Sequence, residues 1–130
     1  SDMERVADYA VDIAKETIRI GENAPTVDLT HLRDMHQKTV TMLRSSVEAF
    51  VERDMIKAKD VAQLDDEVDE LYGVTVRELL ELSVADSSCI KVVSHLSFVS
   101  RFLERCADHS TNICEHLFYL VKGEHYELNN

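Results

Sequence analysis

Apolar residues recur at threes and fours over almost the whole chain, the period of a helix that buries one stripe. The first such run spans residues 2–20 and closes at Gly21; GENAPT (21–26), with Gly, Asn and Pro together, is the clearest breaker in the sequence. From Asp28 to about Arg53, Leu29, Leu32, Met35, Met42, Leu43, Val47 and Phe50 mark an amphipathic helix, and Asp54 stands where a cap for the next one belongs. The second long helix runs from Met55 to Ser83 with Val61, Leu64, Val68, Leu71, Thr75, Leu79 and Leu82 on its seam, weakened at Gly73. After ADSS (85–88), with Asp86 as N-cap, a third reaches Val121 and is expected to end at Gly123. The reading is all-α: an antiparallel three-helix bundle with an extra N-terminal helix.

Composition supports this. A chain of 130 residues is the size of one domain, and one Pro, three Gly and no Trp leave few of the turn residues a many-stranded sheet needs. The formal net charge of −11 argues against nucleic acid and for cations or basic protein surfaces as partners. The longest apolar run is Leu117–Val121, far short of the roughly twenty residues that span a bilayer, and no secretory signal opens the chain, so a soluble, cytoplasmic protein is expected. Cys89, Cys106 and Cys114 form no CxxC pair, which argues against a disulfide framework or zinc knuckle.

An internal echo divides the chain. ERVADYAVDIAKE (4–16) keeps Glu4, Arg5, Ala7, Asp8 and Ile13 against Glu104, Arg105, Ala107, Asp108 and Ile113, and it matches Cys106 to Val6 and Cys114 to Ala14, apolar slots that predict core thiols. The opening helix therefore resembles the third long helix, not the first. Residues 1–21 read as the last helix of a preceding, truncated repeat and 22–130 as a complete bundle. The apolar face Val6, Tyr9, Ala10, Ile13 and Ile20 must then be buried somewhere, by self-association or helix exchange.

The chemistry on offer is carboxylate. Glu104 and Asp108, then Asn112 and Glu115, lie opposite the apolar side of the third long helix, and like charges four apart cost an isolated helix roughly 0.2–0.5 kcal/mol. Taken alone they read as a solvated acidic row. A second pair, Asp65 and Asp69 in LDDEVDEL (64–71), lies toward the edge of the middle helix's seam, where a neighbouring helix brings the two rows together. Oxygen donors of this kind suit hard or borderline cations such as Mg²⁺, Mn²⁺ or iron, and a cation removes the repulsion. His109 and His116 flank the stripe and read as exposed; His31, His36, His95 and His125 form no constellation. Arg5, Arg101 and Arg105 read as surface ion-pair partners. Glu-x-x-His is absent, as are a phosphate-binding GxxxxGK loop and any nucleophile motif, so no enzyme is expected.

LERCADHSTNICEHLFYLVKGE (103–124) resembles the closing signature of the PhoU family of phosphate-uptake regulators; MERVADYAVDIAKE (3–16) resembles the same signature at the end of that family's first repeat, and LDDEVDELY (64–72) its middle-helix motif. The similarity covers essentially the whole chain. It implies two tandem three-helix bundles in the family, of which this chain holds the second repeat plus the last helix of the first. It implies a multinuclear metal cluster, iron or zinc, with manganese or magnesium as alternatives, on Asp65, Asp69, Glu104 and Asp108, with Asn112 in addition and with Glu4 and Asp8 as a second, incomplete site. Asp12 and Lys15 depart from the signature, which prefers Asn and Glu there. By the same resemblance, the protein is expected to be an adaptor that represses the phosphate-starvation response by contacting the sensor histidine kinase and the ATPase of the phosphate ABC transporter, reaching the membrane only through those partners; a homo-oligomer is expected from the unpaired opening helix. A cytoplasmic domain of a sodium-phosphate cotransporter and a purely structural bundle are the rival readings.

Overall fold

Helices α1 (Asp2–Ile20), α2 (Thr30–Glu52), α3 (Met55–Ala85) and α4 (Ile90–Asn129) follow the periodicity, with a 3₁₀ turn at Ser87–Cys89 before the last. The structure, a computed structural model, describes the backbone of residues 1–129 and the side chains to Glu124. Side-chain chemistry sets the boundaries. Asp28 Oδ1 accepts from the Thr30 amide at 2.9 Å and its hydroxyl at 2.7 Å, opening α2. Asp54 Oδ1 accepts from the amides of Ile56 and Lys57 at the head of α3, and Asp86 from that of Ser88. Arg53, at φ 53°, makes the left-handed turn that folds α3 back along α2.

Helices α2, α3 and α4 close the bundle around Met35, Met42 and Ala49 from α2, Ala58, Val61 and Val68 from α3, and Leu103, Ala107, Cys114 and Leu117 from α4. A second cluster of Leu79, Cys89, Val92, Val93 and Leu96 seals the end where the GENAPT linker crosses, with Ala24, Val27 and Leu29 laid over it. All three cysteines are buried and free, and burial pushes the Cys106 and Cys114 thiols up to about 11, as expected of inert core positions. Several seam positions hold small hydroxyls instead of large apolar groups. Ser46, Ser100 and Ser110 are fully buried, and each donates to a carbonyl of its own helix, so the helices approach closely there without an unpaired hydroxyl.

One expectation needs correction. Helix α4 continues through Gly123 to Asn129: one exposed glycine costs a helix only about 1 kcal/mol, and Glu124, just beyond it, accepts from Arg53 Nε at 3.0 Å, anchoring the extension to the α2–α3 turn. Helix α1 packs along α4, with Val6, Tyr9, Ile13 and Ile20 half-buried, Ala10 exposed and Ile13 reaching the main core.

Gly73 sits exposed in mid-α3, where an added Cβ would meet nothing within 4 Å. Gly73→Ala is therefore expected to raise stability by about 1 kcal/mol, read as a melting temperature roughly 3–5 °C higher by circular dichroism.

Candidate functional site

The antiparallel packing of α3 on α4 sets the two i,i+4 carboxylate pairs beside one another, Asp65 and Asp69 against Glu104 and Asp108. Each carboxyl feels the charge of the others. Burial first, then the charges of Asp69, Asp108, Asp66 and Glu104, push the Asp65 carboxyl up to about 6. Burial, Asp108 and Asp69 raise Glu104, while Arg101 and Arg105 pull it back; burial and Asp69 raise Asp108. Asp65 Oδ1 is buried without a hydrogen-bond partner, a costly state for a carboxylate oxygen. The acidic row on α4 is thus half sunk into a seam, not wholly solvated as it reads in isolation.

The other named residues fall elsewhere. Asn112 turns to α1, where its amide nitrogen donates to Asp2 Oδ1 at 3.4 Å. Glu4 and Asp8 stand exposed on α1. No group of three or more His, Cys, Asp or Glu side chains among the described residues is drawn together closely enough, as the side chains stand, to enclose an ion. The α3–α4 quartet nevertheless fits a cation in the respects that matter: its donors are all oxygens, its charges repel, and one buried oxygen lacks a partner.

Two histidines hold α1 in place. His109, expected at the surface, is half-buried with Nδ1 2.7 Å from Asp2 Oδ1 and packs against Tyr9, whose ring also stacks on Phe102. His95 Nδ1 lies 2.6 Å from Glu16 Oε2, and Arg19 donates to the other oxygen of that carboxylate. These contacts lower Asp2, chiefly through His109, and Glu16, chiefly through His95. Arg105, expected to pair on the surface, lies over the Tyr9 ring at 5.9 Å. His31 pairs with Glu78 at 2.8 Å.

The fold and the site together define a helical bundle with a carboxylate seam between α3 and α4. Residues 32–117 match the family model described as PhoU domain, and the chain belongs to the PhoU family. It is 37% identical over 130 residues to a protein of Clostridium acetobutylicum named phosphate-specific transport system accessory protein PhoU homolog, covering all of this chain and 59% of that one. A protein of the same name from Aquifex aeolicus is 40% identical over 124 residues, covering 95% of this chain and 56% of its own length. The crystal structure of PhoU from Pseudomonas aeruginosa superposes with a TM-score of 0.87 at 33% identity, covering 94% of this chain and 59% of that one. The chain thus spans between half and two thirds of the length of these relatives. None of its described helices is long and apolar enough to cross a membrane.

Proposed function

We propose that the chain is part of a cytoplasmic accessory regulator of phosphate transport, an adaptor that represses the phosphate-starvation response by contacting the ATPase of the phosphate ABC transporter and the sensor histidine kinase. The observation that carries this reading is the similarity along all 130 residues to a protein named as a phosphate-transport accessory factor. The two-repeat organisation belongs to the same proposal. With α1 as the last helix of a preceding repeat, its outward residues Met3, Val11 and Ile18, all more than half exposed, form the face for the rest of that repeat. In the chain alone, the same face supports self-association.

Metal binding is the second part of the proposal. Asp65 and Asp69 from α3, with Glu104 and Asp108 from α4, would hold the ion or cluster; iron or zinc is the first choice, manganese or magnesium the second. When bound, it supplies the positive charge that cancels their repulsion and ties α3 to α4. Arg101 and Arg105 already offset part of the charge on Glu104, and the low, half-buried placement of Asp65 keeps water from satisfying its inner oxygen. Asn112, occupied by Asp2, and the exposed Glu4 and Asp8 are secondary candidates.

One experiment tests both parts. The complete gene product that carries this chain is purified without chelator for elemental analysis and is expressed in cells lacking their own PhoU protein, with a phosphate-starvation reporter. Near-stoichiometric metal and a reporter silent in high phosphate are expected for the parent; the Glu104→Ala, Asp108→Ala double variant should lose the metal. A parent free of metal would remove the cofactor, and a reporter left constitutively on would remove the regulatory role.

A further inference from the structure

A cavity of about 410 Å³ opens at the end of the bundle away from the α2–α3 turn, between the start of α2 and the last turns of α3. Sites that take small molecules measure roughly 300–1,000 Å³. Its floor is apolar, with Leu29, Leu32 and Leu82 set around the buried Leu79 of the second core cluster. Thr75 lines the same floor and is only 4% exposed, and its Oγ1 has no hydrogen-bond partner. The buried hydroxyls of Ser46, Ser100 and Ser110 each donate to a carbonyl of their own helix. Thr75 does not, although that bond is open to any helical threonine. A buried hydroxyl left unpaired is costly, and the cavity is where a polar atom from outside can reach it. Threonine has two χ1 wells in a helix, so the hydroxyl can turn to meet an occupant.

The rim sets the charge of the occupant. It carries the carboxylates of Asp28, Glu78 and Glu81 against the single imidazole of His31, and among the described residues no Lys or Arg lines the cavity. Asp28 is engaged by Thr30 at the head of α2, and His31 Nδ1 lies 3.0 Å from Glu78 Oε2. Glu81, exposed one turn beyond Glu78, adds charge that neither contact answers. An anion is repelled here and a cation is held. We infer that the cavity binds a small organic cation, its apolar body on Leu29, Leu32, Leu79 and Leu82, its ammonium group at Glu81 and Glu78, and a hydroxyl at its other end bonded to Thr75. An apolar hollow with a few convergent polar groups is the usual form of a small-molecule site. None of its lining residues belongs to the carboxylate seam, so the inference stands whether or not the seam holds a metal and whether or not the adaptor reading holds.

Tyramine is the probe, because its ammonium and hydroxyl groups stand at opposite ends of an apolar body. It is titrated into isotope-labelled protein and followed by NMR, with chelator in every arm and about 150 mM salt to screen general attraction to a chain of net charge −11. Saturable shifts are expected at the methyls of Leu29, Leu79 and Leu82, with a Kd of about 1 mM or tighter. Phenethylamine, which lacks the hydroxyl, should bind about fivefold more weakly. Hydroxyphenylpropionate, with a carboxylate for the ammonium, should bind at least tenfold more weakly. Thr75→Val keeps the shape and removes the unpaired hydroxyl, so it should melt no lower than the parent while weakening tyramine about fivefold and phenethylamine not at all. Glu81→Gln, at an exposed position, should weaken both amines about fivefold with the fold intact. The inference is overturned by the absence of saturable shifts at the cavity, by shifts centred instead on Asp65 and Glu104, or by equal binding of tyramine and the carboxylate. Full tyramine binding by either variant overturns it as well.

Discussion

Asp65→Asn is expected to stabilise the chelator-treated protein at pH 7.5 and to do so by only about a third as much at pH 4.5. The sign follows from linkage. The folded-state carboxyl titrates at about 6 against its ordinary 3.8, so between those values the folded chain binds the extra proton. Below 3.8 both states are protonated and no penalty exists; as pH rises the penalty grows, and above about 6 it is complete. A shift of this size corresponds to about 3 kcal/mol at 1.36 kcal/mol per unit, and solvent screening of a half-buried group reduces it to roughly 1–2 kcal/mol. That is a melting temperature roughly 3–8 °C higher for the variant at pH 7.5. The His31–Glu78 pair acts in the same sense, because the raised His31 contributes stability at low pH that is lost as pH rises through its titration. Asp2 and Glu16, held low by their histidines, contribute stability above the ordinary carboxylate range that is lost only in acid. Thermal melts across pH 4.5–8 therefore separate the terms: a parent optimum near pH 5 that flattens in Asp65→Asn supports the repulsive seam, and a variant less stable than its parent at pH 7.5 would refute it. Under the metal reading, excess metal reverses the order at pH 7.5, since only the parent gains the binding free energy.

The seam shows why so much of this protein can be read from its sequence. Helix starts at α3 and at the turn before α4 are written in single side chains, Asp54 and Asp86, that bond the next amides, and local chemistry of that kind survives folding unchanged. The carboxylate pairs are legible for the same reason, as i,i+4 neighbours on one helix; their meeting follows once α3 and α4 are antiparallel neighbours. What sequence cannot supply is long-range pairing of groups with no periodic signal. Glu16 and His95 lie 79 residues apart and Asp2 and His109 107 apart, and nothing around either histidine marks it as partnered. Ser46, Ser100 and Ser110 are hidden by composition, because a hydroxyl that bonds its own helix is as buried as an alanine yet scores as polar. Gly123 shows the opposite error: a punctuation residue outweighed by an ion pair between Glu124 and Arg53, 71 residues away.

Those same long-range pairs define how α1 is attached, and Tyr9→Ala is the substitution expected to release it. The Tyr9 ring has centroids of Phe102 and His109 at 5.9 and 5.8 Å and the Arg105 guanidinium carbon at 5.9 Å, so truncation removes three contacts at the middle of the α1–α4 interface. For a half-buried aromatic the loss is about 2 kcal/mol, or roughly thirtyfold in the docking equilibrium at 1.4 kcal/mol per factor of ten. Helix α1 has little to fall back on: Ser1 makes no side-chain capping bond, and an isolated helix of this length is marginal in water. Undocking should therefore unravel it. Because α1 packs along α4 and along no other of the described helices, the effect should stay local. Hydrogen exchange is expected to be about thirtyfold faster at the protected amides of α1 in Tyr9→Ala, with those of α2, α3 and the Val99–Leu117 stretch of α4 unchanged. Loss of protection in all four helices would instead make α1 part of the bundle's cooperative unit. The local outcome has a functional meaning, since the helix that carries the outward stripe of Met3, Val11 and Ile18 would then be tethered to the carboxylate-bearing helix by side chains that single substitutions can disconnect.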